Sequence, residues 1–117
     1  MRAQPVPNVD RADVERIVRR DFPAGAVDEV LGILDQYESD HGPSARARVQ
    51  LAALKLAAGN RDAVRTWVKE AQMDYRDVLA PAEYPHYMRR VPGPSQPRDV
   101  DEIIEADWQQ YQTWLNR

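Results

Sequence analysis

Apolar residues recur along this chain at steps of three and four and never in sustained alternation, so the pattern predicts helices and no strands. Val14, Ile17, Val18 and Phe22 form a first stripe, with Glu15, Arg16, Arg19 and Arg20 turned away from it. Asp10, with Asp13 three residues on, supplies the start signal for a helix over 10–22, after an N-terminal tail at 1–9. Pro23 and Gly25 interrupt the pattern. Val27, Val30, Leu31, Leu34 and Tyr37 mark a second helix over 25–39, closed by "SDHGP". Pro43 suits the first position of a third helix over 43–58, Gly59 its left-handed cap, and Asn60 the cap of the next. That fourth helix, 60–80, carries Val64, Trp67, Val68, Ala71, Tyr75 and Val78. Pro81 is expected to stop it, because its ring would meet the Asp77 carbonyl.

A strap at 81–98 holds five of the chain's nine prolines. A last helix over 99–116 has Asp99 and Glu102 placed as a capping pair and a seam of Val100, Ile104, Trp108, Tyr111 and Leu115. The expected fold is therefore all-α, a single domain over 10–117. It is read as a five-helix bundle built from two helical hairpins, with a C-terminal helix reached through the strap. Such a seam is marginal as an isolated helix in water, so this last helix must dock. A monomer docked on itself is favoured, with a dimer swapped through this helix as the alternative.

The third helix is apolar on two faces. Ala45, Val49, Ala52, Ala53 and Leu56 line one, and Ala47, Leu51, Leu54 and Ala58 the other. A helix apolar on opposite sides is the middle element of a bundle. The strips between the faces carry Arg48 with Lys55 and Arg46 with Gln50. Lys55 is either a depressed lysine acting as base or nucleophile, or a packed stem whose ammonium reaches water. Without a partner motif, packing is the expectation.

Composition narrows the function classes. The 117 residues are 43% hydrophobic and 30% charged, ordinary values for one globular domain. Net charge is −3, and the 16 basic residues are spread along the chain, which argues against a nucleic-acid partner. No cysteine is present, which removes thiolate chemistry. No apolar run has the length of a membrane span, and "MRAQPVPNVDRADVE" has no apolar leader region, so no membrane association and a cytoplasmic location are expected.

Candidate chemistry is sparse. Glu70, Asp74 and Asp77 fall on one edge of the fourth helix, a spacing that suits a divalent metal or acid–base work. Arginines of neighbouring helices, such as Arg48 or Arg20, are the plainer partners for those carboxylates. The acidic start of the last helix complements the helix dipole and needs no ligand. His41 stands in a turn, and His86 lies among Tyr84, Tyr87, Met88, Arg89 and Arg90, a mixture typical of protein interfaces. The same segment also reads as a strap with Tyr84 and Tyr87 tucked against the helices. No catalytic constellation or phosphate-cradling glycine loop is present, so a non-enzymatic protein without cofactor or metal is expected.

"RVQLAALKLAAGN" and "AQMDYRDVLAPAEYP" resemble a group of small bacterial helical proteins with the pattern "VQLA-LKL--G … DYRDVLA-AEYP". The resemblance covers about residues 10–87, is most specific over Asp74–Pro85, and implies a compact helical unit with no activity attached. The leading functional expectation is a protein–protein interaction or adaptor module. It would use Tyr84, His86, Tyr87, Arg89 and Arg90 together with Glu70, Asp74 and Asp77, and an unidentified protein as partner. The alternatives are a small regulatory protein that neutralises a genetically linked enzyme and a metal-dependent hydrolase using Glu70, Asp74, Asp77 and His86.

Overall fold

The computed structural model describes residues 5–89 and 97–117, excepting the side chains of 97–99. Among these residues there is no strand, and seven α-helices replace the five expected. They are α1 (Arg11–Asp21), α2 (Val27–Leu34), α3 (Pro43–Ala57), α4 (Arg61–Met73), α5 (Arg76–Glu83), α6 (Pro85–Arg89) and α7 (Pro97–Leu115), with a 3-10 turn at Ala24–Ala26 before α2. No helix among the described residues is long and apolar enough to cross a membrane.

The start signals read from the sequence are used. Asp10 and Asp13 form a reciprocal capping box, each side chain accepting from the other's backbone N–H. Pro43 opens α3, and the Asn60 side chain accepts from the Ala63 N–H to open α4. The cap of α3 differs in detail. Ala58 is already left-handed at φ 50°, and Gly59 follows at φ 82°, so two successive residues make the corner.

Three elements depart from the expected bounds. The second helix stops at Leu34, five residues early. Arg46 donates to the Asp35 and Tyr37 carbonyls at 2.8 Å each, so these groups find partners outside a helix. The long fourth helix is two helices. Asp74 is extended, and its Oδ1 accepts from the Arg76 N–H at 3.0 Å, a local bond that competes with helix continuation and restarts the chain as α5. Pro81 then lies inside α5 and does not end α4. Asp77, whose carbonyl loses its helical donor, is exposed, so water can meet it, while Val78, Leu79, Ala82 and Glu83 are buried and hold the helix down. The strap is helical through Arg89; the rest of it up to residue 96, Arg90 included, lies outside the described residues. α7 starts at Pro97, so Asp99 sits in its first turn and not at its cap. The Asp99 side chain, and with it the proposed pairing with Glu102, lies outside the described residues.

Packing is organised on α3, which meets α1, α4 and α5. Ala47, all residues from Val49 to Leu54, and Ala57 are buried, a wider enclosure than two faces. Gln50, assigned to a polar strip by its position, is only 1% exposed. Its Nε2 donates to the Leu34 carbonyl at 2.9 Å and its Oε1 accepts from Arg11, so the buried amide is satisfied. Arg48 meets Glu83 of α5 in a two-pronged pair at 2.8 and 2.7 Å, and Glu83 is 2% exposed. This pairing corrects the expectation that Arg48 serves the α4 carboxylates. Arg20, the other arginine considered for them, pairs with Asp21 instead.

α7 docks on its own chain. Tyr111, Trp114 and Leu115 enter the main core, and Arg20 and Arg16 of α1 donate to the Trp114 and Leu115 carbonyls at 2.6 and 2.8 Å. These two arginines cap the end of α7, and the Arg20 guanidinium lies 5.3 Å from the Trp114 ring centre. Residues 5–9, read as a tail, also pack: Val9 is buried, its carbonyl accepts from the Ser44 hydroxyl, and the Pro5 carbonyl accepts from the Tyr84 hydroxyl.

The Arg48–Glu83 pair generates a stability prediction. Glu83→Met alone strands a guanidinium and should cost about 3–5 kcal/mol, whereas Arg48→Met with Glu83→Met should recover most of that loss. Urea denaturation of the two single variants and the double variant checks it. A double variant as unstable as Glu83→Met would show that the pair is not what α3 and α5 require.

Candidate functional site

Two of the regions where polar side chains gather contain the residues singled out in the sequence; a further cleft of about 700 Å³ is lined by Arg11, Asp35, Arg46 and Gln50, which pair with one another. The first is the layer between α3, α5, α6 and α7. Asp107 of α7 is fully buried, on the same helix face as Val100, Ile104, Tyr111 and Trp114. Its Oδ1 accepts from the His86 backbone N–H at 3.2 Å and lies 2.6 Å from His86 Nδ1, while its Oδ2 accepts from the Tyr87 N–H at 3.0 Å. The carboxylate thus caps α6 from a different helix and orients the His86 ring. The ring itself is largely exposed, beside a shallow groove of about 390 Å³ lined by Glu102, Ile103 and Ala106.

Lys55 is half-buried in the same layer. Burial pushes its ammonium below the usual lysine range, and the Asp107 charge offsets this only in part. The lysine therefore has a charged neighbour that the sequence did not reveal. Tyr111 is 1% exposed and its hydroxyl has no hydrogen-bond partner among the described residues; burial, and next the Glu83 charge, raise that hydroxyl well above the usual tyrosine value.

The sequence candidates separate here. Tyr84 is 7% exposed, its hydroxyl raised by burial first, so it packs within the fold. Tyr87 is half-buried, and Met88 and Arg89 are exposed on α6. Glu70 and Asp77 are exposed on two different helices, because the chain breaks between them at Asp74. His86 is engaged with Asp107. No three His, Asp or Glu side chains among the described residues stand close enough together to hold a metal ion, so Glu70, Asp74, Asp77 and His86 are not assembled into one centre.

The second region is the corner where α4 gives way to α5. A cleft of about 560 Å³ opens there against the turn between α2 and α3, with walls that include Glu38, Asp40, His41, Met73, Tyr75 and Arg76. Its floor is braced by the Gln72 amide, which donates to the Gln36 carbonyl at 2.8 Å. Asp74 holds Arg76 through three donors, the backbone N–H and Nε at 3.0 Å and Nη2 at 2.9 Å. The Arg76 bonds lower the Asp74 carboxyl below its usual value. Tyr75 packs its ring edge-on to His41, centres 5.9 Å apart. Met73 is 83% and Tyr75 37% exposed, so two of the four large apolar side chains that are exposed among the described residues share this corner. The helix break creates the site. The sequence signal for it was Asp74, a poor helix-interior residue placed before a second acidic start at Asp77.

Asp107→Ala should uncap α6 without unfolding the core. Hydrogen exchange at the His86 and Tyr87 amides should accelerate while the α3 amides stay protected; unchanged exchange at those two amides would remove the capping role. Lys55→Met should raise the melting temperature at neutral pH, since the stem's volume is kept and a penalised charge is removed. For the wild-type chain the folded state binds fewer protons than the unfolded one between the depressed Lys55 value and the ordinary lysine value. This site's contribution to stability therefore rises with pH through that window. Thermal melts of both proteins across alkaline pH check the sign. Against known proteins, the chain matches no family model, no curated protein and no solved structure.

Proposed function

We propose that this protein is a non-enzymatic protein–protein interaction module of bundled helices, and that it docks its partner at the α4–α5 corner. The observation that carries the reading is the pair Met73 and Tyr75, large and apolar, standing open on the walls of a concave, braced cleft. Exposed methionine and tyrosine are not needed for the core, and both supply adaptable or rigid contact area of the kind that binding hot spots use. Asp74, one of the acids singled out in the sequence, serves the site by restarting the helix and fixing Arg76. On α6, Met88 and Arg89 are exposed as well.

A photo-crosslinking residue placed at Tyr75, in the full chain expressed in its own host, should form a discrete adduct with one partner protein. Excess unlabelled wild-type protein should compete the adduct away, and a Met73→Ser, Tyr75→Ala double variant should not. The same label at Arg19, exposed on α1, should give no such adduct. Both substitutions fall at exposed positions, so stability should change by no more than about 0.5 kcal/mol for each. Equal adducts from both labelled positions, or none from Tyr75, would contradict the assignment.

A further inference from the structure

Resting on the corner as a docking face, we infer that the segment it receives is cationic, an arginine-bearing stretch of the partner protein. The charge balance of the cleft is the first ground. Glu38 and Asp40 on one lip make no hydrogen bond or ion pair among the described residues, while Arg76 on the opposite wall is paired with Asp74 through Nε and Nη2. The two open carboxylates are therefore not neutralised from within the cleft. An acidic segment entering it would meet like charge, and an apolar one would strip water from both acids with nothing in return.

Ring geometry is the second ground, and it selects arginine over lysine. Tyr75 meets His41 in an edge contact at 64°, and the Tyr75 ring, 37% exposed, stands on the cleft wall. A planar guanidinium stacks on such a ring while its donor fork engages a carboxylate, whereas an ammonium is a compact, strongly hydrated point charge. Met73 adds an unbranched thioether against which the aliphatic stem of an arginine can lie. Tyr37 closes the site from below; it is 5% exposed, and burial raises its hydroxyl above the usual tyrosine value, with the Asp40 charge adding a smaller push in the same sense. The cleft thus combines two uncommitted acids, an exposed tyrosine ring and a soft apolar wall, the set that recognises a guanidinium on an alkyl chain.

The test titrates the full-length, isotope-labelled protein with hexa-arginine, hexa-lysine and hexa-glutamate amides and follows backbone and ring resonances. Hexa-arginine should shift residues 36–41 and 71–76 saturably and hexa-lysine should bind more weakly, while hexa-glutamate should leave them in place. Tyr75→Leu should weaken hexa-arginine by about fivefold, the loss of one exposed cation–π contact. Glu38→Gln with Asp40→Asn should weaken it by about as much and reduce its salt dependence. Melting curves of the variants show that the fold is retained. Shifts scattered over every acidic surface without saturation, hexa-lysine as tight as hexa-arginine, or variants that bind as wild type would each overturn the arginine assignment. If crosslinking at Tyr75 succeeds while hexa-arginine leaves the corner unmoved, the cationic assignment falls and the docking face stands. Arginine binding without a crosslinked partner would instead sink the docking role alone.

Discussion

An arginine anchored in an enclosed helix must be met by an acid. In this protein, that requirement ties α3 to α5. The Arg48 guanidinium is held between two helices by a Glu83 carboxylate that is itself almost wholly out of water. Neither charge is tolerable there without the other, because the desolvation of each is offset only by the pair and its two short hydrogen bonds. α5 is short and carries a proline that removes one of its own backbone bonds, so it has little stability of its own. The Glu83 anchor and the buried Val78, Leu79 and Ala82 keep it in place.

The rest of the molecule follows from that placement. With α5 fixed across α3, α6 begins one residue later and turns toward α7, where Asp107 caps it. α7 is then held at its far end by arginines of α1, so the last helix bridges the two sides of the fold. Three buried polar side chains are met by partners from distant parts of the chain: Gln50 by Leu34 and Arg11, Asp107 by His86 and Tyr87, Tyr84 by Pro5. Each such pairing fixes a register that apolar packing alone would leave loose. The Asp74 break, by contrast, leaves Met73 and Tyr75 exposed, on the walls of the cleft.

Local chemistry made much of this architecture readable. Capping at Asp10 and Asn60 and the proline at the start of α3 act through neighbours a few residues away, and each is realised as expected; of the alanine–leucine surface of α3, Leu51 to Leu54 are buried while Ala58 is exposed. The readings that failed depended on partners far along the chain. Pro81 looked like a stop because its cost is local, while the burial that offsets it comes from α3. Gln50 looked like a solvent-facing polar residue because nothing in its own helix announces the Leu34 carbonyl. Asp107 looked like one more acid on an acidic helix, and its burial arises from α6 folding over it. Tyr84, chosen for its place in an interface-like segment, went inside, and the neighbouring α4–α5 corner became the open surface through a bend that only the Asp74 side chain foreshadows.

The central claim, that α3 is buried through its middle from Val49 to Leu54 and secures its neighbours, has a direct measurement in native-state hydrogen exchange. The amides from Leu51 to Leu54 should exchange only through global unfolding, with an opening free energy equal to that from denaturant titration and the same dependence on denaturant. Exchange of these four amides through a smaller, denaturant-insensitive opening, while α1 or α4 remained protected, would contradict it.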